Sequence, residues 1–291
     1  TIASDADGNL YAGGDYAGSA TFGGSTTYAA GKATELAPFV ASWTPTGALR
    51  WVDAGHDTSA SKTWGIAVEG DAVVFVTWVR GAGGFVDQVI GTASCVTGKL
   101  ASATGAVAWL RQDRGSDGRC VTDAIAIQGD RIAISGRRYF APNGGWVAEL
   151  ALADGALRWA KPLGTSEADV PKALAFAPDG TIEVGGHFST ETMVLAGAAL
   201  ASNGSWDGYV ASFDPHGQLK GAVGLGGVAS DLVRWMTYSP DGHLLIGGRF
   251  ETALRVGDRI LRGVGGTDGY VVELSQRLLT TRSPRTASAS P

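Results

Sequence analysis

The chain has 291 residues, of which 44% are hydrophobic, and a formal net charge of -5. That supplies ample apolar material for a core, and the lack of any Lys/Arg block argues against a phosphate-backbone partner. No apolar run approaches the ~20 residues needed to span a bilayer. The 44 glycines gather at turns rather than at every third position, which excludes collagen.

One phrase recurs along the chain. Its first copy runs from Ile2 to Tyr16 around Asp7-Gly8-Asn9-Leu10, and weaker copies lie at Gly70-Asp71 and Gly129-Asp130. The clearest two span Ala173 to Phe188 and Trp235 to Phe250, each built on Pro-Asp-Gly followed by a strand ending Gly-Gly. The aligned landmarks Gly14, Thr77, Gly136, Gly186 and Gly248 are 63, 59, 50 and 62 residues apart. A period of roughly 40 to 60 residues made of short strands predicts propeller blades.

Each copy accommodates four strands. The first is short and apolar (Trp64–Val68, Ala124–Ile127, Ala173–Phe176), and an Asp-Gly or Gly-Asp turn reverses it. The second (Leu10–Gly14, Val73–Thr77, Ile132–Gly136, Ile182–Gly186, Leu244–Gly248) ends in Gly in every copy but one. The third carries Phe39–Trp43, Trp146–Leu150, Tyr209–Phe213 and Tyr270–Leu274, and the fourth Ala48–Trp51, Ala106–Trp109 and Ala156–Trp159. Trp51, Trp109 and Trp159 hold one repeat position, where Gly221 stands in the fourth copy, so they are expected to pack between blades rather than bind sugar. The expected fold is all-β: a five-bladed β-propeller with four antiparallel strands per blade. The blades fall at about 1–60, 61–119, 120–170, 171–232 and 233–281, with 282–291 a tail or linker. Thr1 enters the first copy part-way, so a missing leader is no argument against export. With the fourth strand of the last copy, near Leu278–Arg282, lacking its Gly turn, imperfect closure of the ring or a sixth or seventh blade outside these residues is the alternative to five.

Asp207-Gly-Tyr-Val-Ala-Ser-Phe-Asp-Pro-His-Gly217, then Gly226-Gly227 with Ser230-Asp231, then Ser239-Pro-Asp-Gly-His-Leu-Leu-Ile-Gly-Gly248 resembles the bacterial β-propeller repeats of the SBBP type. The resemblance covers residues 2 to about 275 and is strongest in the last two copies. It implies a secreted or surface-attached module used for binding or spacing, and it carries no catalytic motif. The second copy departs most, with Thr77-Trp78 where the others have Gly and a polar residue.

The connections between second and third strands (15–38, 78–95, 137–145, 187–208, 249–269) are long and variable, and the other hairpins short and stereotyped. Variable loops on a rigid scaffold are where binding resides. Just past the second strand stand Asp15, Trp78, Arg137, His187 and Arg249, one per blade. Together they are candidates for a polar pocket in which Arg and His meet a carboxylate or sulfate and Trp78 stacks on a ring. Alternatively they are solvated strand ends, with Arg137 and Arg249 paired to loop acids.

Asp5-Ala-Asp7-Gly8-Asn9 looks like half a calcium loop but sits where every copy has its turn, and the four histidines form no zinc motif, so no metal or cofactor is expected. Asp15, Asp123, Asp169 and Asp231 are the acids placed for inspection. Asp169 and Asp231 precede a first strand at equal spacing, which implies a structural cap. Cys95 and Cys120, the only cysteines, are expected to bridge adjacent blades, favouring an oxidising compartment. The function expected is an extracellular, periplasmic or cell-surface module binding a carbohydrate, small anionic ligand or protein through its long-loop face. The alternatives are a hydrolase or lyase at the channel mouth, with His187 and Asp15 the pair to test, and a structural spacer.

Overall fold

The computed structural model describes residues 1–24, 26–30, 35–56, 60–80, 83–85, 88–90, 94–113, 120–138, 144–195 and 197–274. These residues form an all-β protein. Among them no helix is long and apolar enough to cross a membrane.

Among the described residues five antiparallel meanders follow one another. The first joins Ile2–Ser4, Leu10–Ala17, Leu36–Trp43 and Leu49–Ala54, and the second Ala60–Glu69, Ala72–Arg80, Ser94–Ala101 and Val107–Asp113. The third joins Cys120–Gln128, Arg131–Arg138, Gly144–Ala151 and Leu157–Leu163, and the fourth Val170–Phe176, Ile182–Phe188, Asp207–Phe213 and Leu219–Leu225. The fifth has three strands among the described residues, Asp231–Tyr238, Leu244–Val256 and Arg259–Leu274. The fourth strand expected near Leu278–Arg282 and the tail 282–291 lie outside the described residues.

The long connections between second and third strands are built differently from the sequence expectation. Three carry two-stranded ribbons: Ser19–Phe22 with Thr26–Ala29, Gly83–Phe85 with Gln88–Ile90, and Thr192–Leu195 with Ala198–Ala201. In the fifth sheet the second and third strands themselves run on as a ribbon, from Ala253 opposite Arg262 to Val256 opposite Arg259. Thr-, Val- and Ala-rich alternation in these segments suits a half-exposed hairpin. Residues 139–143 of the third connection are outside the description.

The chain divides into two compact units, Thr1–Ala141 with Glu149–Arg158, and Pro142–Ala148 with Trp159–Pro291. In the first, Tyr11, Val40, Trp51, Ile66, Phe75, Phe85, Val96 and Leu100 share one core. In the second, Val210, Leu225, Val233, Met236, Ile246, Phe250 and Tyr270 share another, formed where the fourth and fifth sheets face each other.

The recurring tryptophans explain how neighbouring sheets are registered. Trp51 Nε1 donates to Ser102 O at 2.9 Å, Trp109 Nε1 to Leu152 O at 3.0 Å, and Trp159 Nε1 to Pro215 O at 3.2 Å. In each case the acceptor lies in the third-to-fourth turn of the next sheet. The turn's glycine, Gly105, Gly155 or Gly217, lies against the indole with φ of 76°, 70° or 73°. Glycine is needed twice over there, for the left-handed backbone and for the close approach of the ring. Sheet-to-sheet packing, not sugar stacking, is what these indoles do.

The glycine that ends the second strand also has a physical cause. The first and second strands slip by one residue in four sheets, between Thr63 and Gly65, Thr122 and Ala124, Pro171 and Ala173, and Val233 and Trp235. Each bulge drives a first-strand carbonyl onto the second strand. A Cβ on Gly136, Gly186 or Gly248 would collide with the carbonyl oxygen of Val121, Val170 or Leu232 respectively. In the second sheet the landmark residue is Thr77, and its hydroxyl donates to the equivalent carbonyl, Lys62 O, at 3.2 Å.

Candidate functional site

All five candidate binding residues lie within strands rather than past their ends, because each second strand runs on and stays paired beyond the residue that the repeat marks as its end. Asp15 is opposite Pro38, Trp78 between Lys62 and Cys95, and Arg137 opposite Val121. His187 lies between Val170 and Gly208, and Arg249 between Leu232 and Gly269. Asp15, Trp78 and Arg137 belong to the first unit, and His187 and Arg249 to the second.

Their surroundings differ sharply. Arg137 Nε is 3.0 Å from Asp123 Oδ2, whose side chain is fully buried, so this arginine neutralises an internal carboxylate. Its pairing to an acid was one of the two sequence alternatives, although the acid comes from the first strand and not from a loop. His187 is 7% exposed and meets Trp206 edge-on, with ring centroids 5.0 Å apart. Trp78 and Asp15 are half-buried, and Arg249 is exposed.

Sequence reasoning missed a second set of variable positions. The residue extruded at each bulge is Trp64, Asp123, Lys172 or Arg234. These sit one strand away from Trp78, Arg137, His187 and Arg249, and they vary just as widely in chemistry. Lys62 lies over the Trp64 ring at 4.4 Å, and Asp123 holds Arg137. The available signal was the first strand's extra residue relative to its partner, visible only once the register is known.

The aspartates before first strands act as caps, as their equal spacing implied. Asp169 Oδ2 accepts from Thr165 N and Ser166 N, both at 2.9 Å, and Asp231 Oδ2 accepts from Gly227 N at 2.6 Å. Burial pushes both carboxyls up, Asp231 to about 6, where the neighbouring charges of Asp207 and Glu251 add to the effect. Asp207 does the same for the turn into its own strand, accepting from Asn203 N at 2.6 Å and Gly204 N at 3.2 Å.

Asp5 closes its turn by accepting from Asn9 N at 2.8 Å and Tyr11 Oη at 2.8 Å, so the resemblance to a calcium loop is a turn. His243 Nδ1 lies 2.8 Å from Glu273 Oε1 on the surface. No three His, Cys, Asp or Glu gather as metal ligands among the described residues. Cys95 is buried, between Trp78 and Asp113 in the second sheet, and Cys120 opens the third sheet opposite Arg138. The Cys120 side chain lies outside the described residues, and with it the expected bridge.

No protein-family model matches the chain, and no curated protein matches its sequence. Solved structures do resemble it. A protein of unknown function from Bacteroides caccae is 11% identical over 87% of this chain and 73% of its own, with a TM-score of 0.43. BamB from Moraxella catarrhalis is 16% identical over 94% of this chain and 87% of its own, with a TM-score of 0.38. The Dos1 propeller is 12% identical over 79% of this chain and 56% of its own, with a TM-score of 0.45. At such scores the likenesses assign no ligand or activity to this chain.

Proposed function

We propose that this chain is a five-bladed β-propeller binding module of a secreted, periplasmic or cell-surface protein. It takes a carbohydrate, a small anionic ligand or a protein at the ends of its sheets that carry the ribbons. One observation supports this reading above the others: the connections between second and third strands are elaborated into ribbons, whereas the hairpins at the opposite ends are minimal and repeated. Packing and turn chemistry account for the short hairpins. The ribbons bury Phe85, Met193, Leu195 and Leu254 on one face and present exposed apolar side chains such as Val194 and Ile260 to solvent on the other. Of the candidate residues, Trp78 offers a half-buried ring in the first unit and Arg249 an exposed cation in the second.

Binding measured on a glycan array, on a panel of carboxylates and sulfates, and by cross-linking to envelope proteins tests the reading. Arg249→Ala and Trp78→Ala should abolish the signal, and Asp7→Ala, at a short hairpin, should leave it intact. Loss in Asp7→Ala with retention in the other two would overturn it. Arg137→Ala is a poor probe, since it strands the buried Asp123.

A further inference from the structure

At one register position the fifth sheet departs from the others. The first-strand residue just after the bulge is Gly65 in the second sheet, Ala124 in the third and Ala173 in the fourth, but Trp235 in the fifth. Small residues there have a packing cause. A Cβ on Gly65 would meet Ile125 of the following sheet at 2.6 Å, and Ala173 lies in the core shared with Val233 and Met236 of the fifth sheet. Trp235 instead leaves its ring 42% exposed. The third strand departs in the same place. Val40, Thr97 and Val210 are buried at this register, whereas Val271, opposite Gly247, is 63% exposed.

The indole of Trp235 lies over Gly247, where a Cβ would collide with its Cε2, Cζ2 and Nε1. Arg249 is two residues further along that strand, so it rises from the same face ~7 Å away. Arg234, extruded at the bulge, immediately precedes the ring. Both arginines are exposed, and among the described residues neither guanidinium has an ion-pair or hydrogen-bond partner. By contrast Arg50, Arg111, Arg131 and Arg158 are each held by an acid or a hydroxyl. Opposite Arg249 stands Gly269, where a Cβ would meet only Gly248 O, at 3.9 Å, so the space beside the guanidinium is open.

We propose that the face of the fifth sheet turned away from the fourth binds an anionic pyranose, stacked on Trp235 with its carboxylate or sulfate on Arg249. The inference rests on the binding reading above, and names the sugar class and the ring that takes it. The C–H face of a pyranose is apolar and suits an indole. A planar guanidinium without an acid of its own takes a carboxylate or sulfate through two parallel hydrogen bonds. The tryptophan argues against a further sheet of the repeat as occupant, since it stands at the register where Ile125 reaches Gly65.

Isothermal titration of the full chain with an oligogalacturonate, a sulfated oligogalactan and a neutral oligogalactan tests this. One or both anionic probes should bind, which tells carboxylate from sulfate, and the neutral one should not. Trp235→Ala and Arg249→Ala should each weaken that binding about tenfold. Trp235→Phe, which keeps a ring, should retain most of it, and Trp235→Leu, apolar but without a ring plane, should lose it. Undiminished binding in Trp235→Ala and Trp235→Leu would overturn the inference and leave the broader reading, which turns on Trp78→Ala, in place. Failure of both anionic probes to bind the wild type would also overturn it, and protein or neutral-glycan binding lost in Arg249→Ala would then keep that reading alone. Concentration-dependent self-association abolished by Trp235→Ala would overturn it in favour of a second copy on this face.

Discussion

The hydroxyl of Thr77 donates to Lys62 O at 3.2 Å, and that carbonyl has counterparts in Val121, Val170 and Leu232 that press onto glycines. One steric problem, a bulged carbonyl crowding the second strand, is thus met in two ways: by removing the side chain, or by supplying a hydroxyl that bonds the intruder. Gly186→Ala should therefore destabilise the protein by about 3 kcal/mol, because the obstacle is backbone and cannot move aside. Gly224→Ala, where a Cβ meets nothing within 4 Å, should be neutral or stabilising by up to about 1 kcal/mol. Urea unfolding of the two variants distinguishes them; equal midpoints would refute the steric account.

Thr77 yields its own prediction. Thr77→Val keeps the shape and deletes the donor, leaving a part-buried carbonyl without that partner and costing about 1 kcal/mol. Thr63 Oγ1, which donates to Thr77 Oγ1 at 3.3 Å, loses its acceptor in the same variant. Unfolding midpoints of Thr77→Val and the Thr63→Val/Thr77→Val double variant should show that the two losses are not additive.

The indole bonds between sheets should be graded by burial. Trp51 is 9% exposed, whereas Trp159 is half-buried and its bond to Pro215 O lies at the surface. Trp51→Ala should cost about 3–5 kcal/mol through cavity and contact loss, and Trp159→Ala distinctly less. Comparable losses in denaturation midpoint would show that burial is not what sets the contribution of these rings.

Much of this architecture was legible in the sequence because the repeat displays it. The position shared by Trp51, Trp109 and Trp159 and the equal spacing of Asp169 and Asp231 each pointed to a role that the geometry bears out. What could not be read depends on register. Asp123 was visible as an acid, but only the one-residue slip between Thr122 and Ala124 places it under Arg137. The ribbons at Ser19–Phe22 and Thr192–Leu195 were spelled as variable loops, since short exposed hairpins lack the apolar face that marks a buried strand.

The cysteine pair has a clean chemical test. A bridge between Cys95 and Cys120 would close a loop of about 25 residues and contribute roughly 3 kcal/mol on the chain-entropy account. Mass mapping after alkylation of the native, unreduced protein should find neither thiol labelled, and reduction should lower the unfolding midpoint accordingly. Labelling of both thiols without reductant would remove the bridge and the argument it lends to an oxidising compartment.

Glu183 sets a pH dependence that follows from its burial. It lies between Ser212 Oγ and Tyr238 Oη, both donating to it, and burial pushes its carboxyl from 4.5 up to about 7, against the lowering effect of these donors and of Lys220. A carboxyl whose proton is held more tightly in the folded state stabilises fully below its unfolded pKa. That stability should fall as pH rises from about 4.5 and be gone above about 7, a total of about 3 kcal/mol at most. Glu183→Gln keeps the shape: its carbonyl accepts from Tyr238 and its amide donates to Ser212. Subtracting the variant's urea midpoints from those of the wild type, between pH 4 and pH 8, should leave a declining curve that levels off near neutrality. A flat difference would place the titrating proton on another group and reduce Glu183 to a permanently charged member of the Lys220 network.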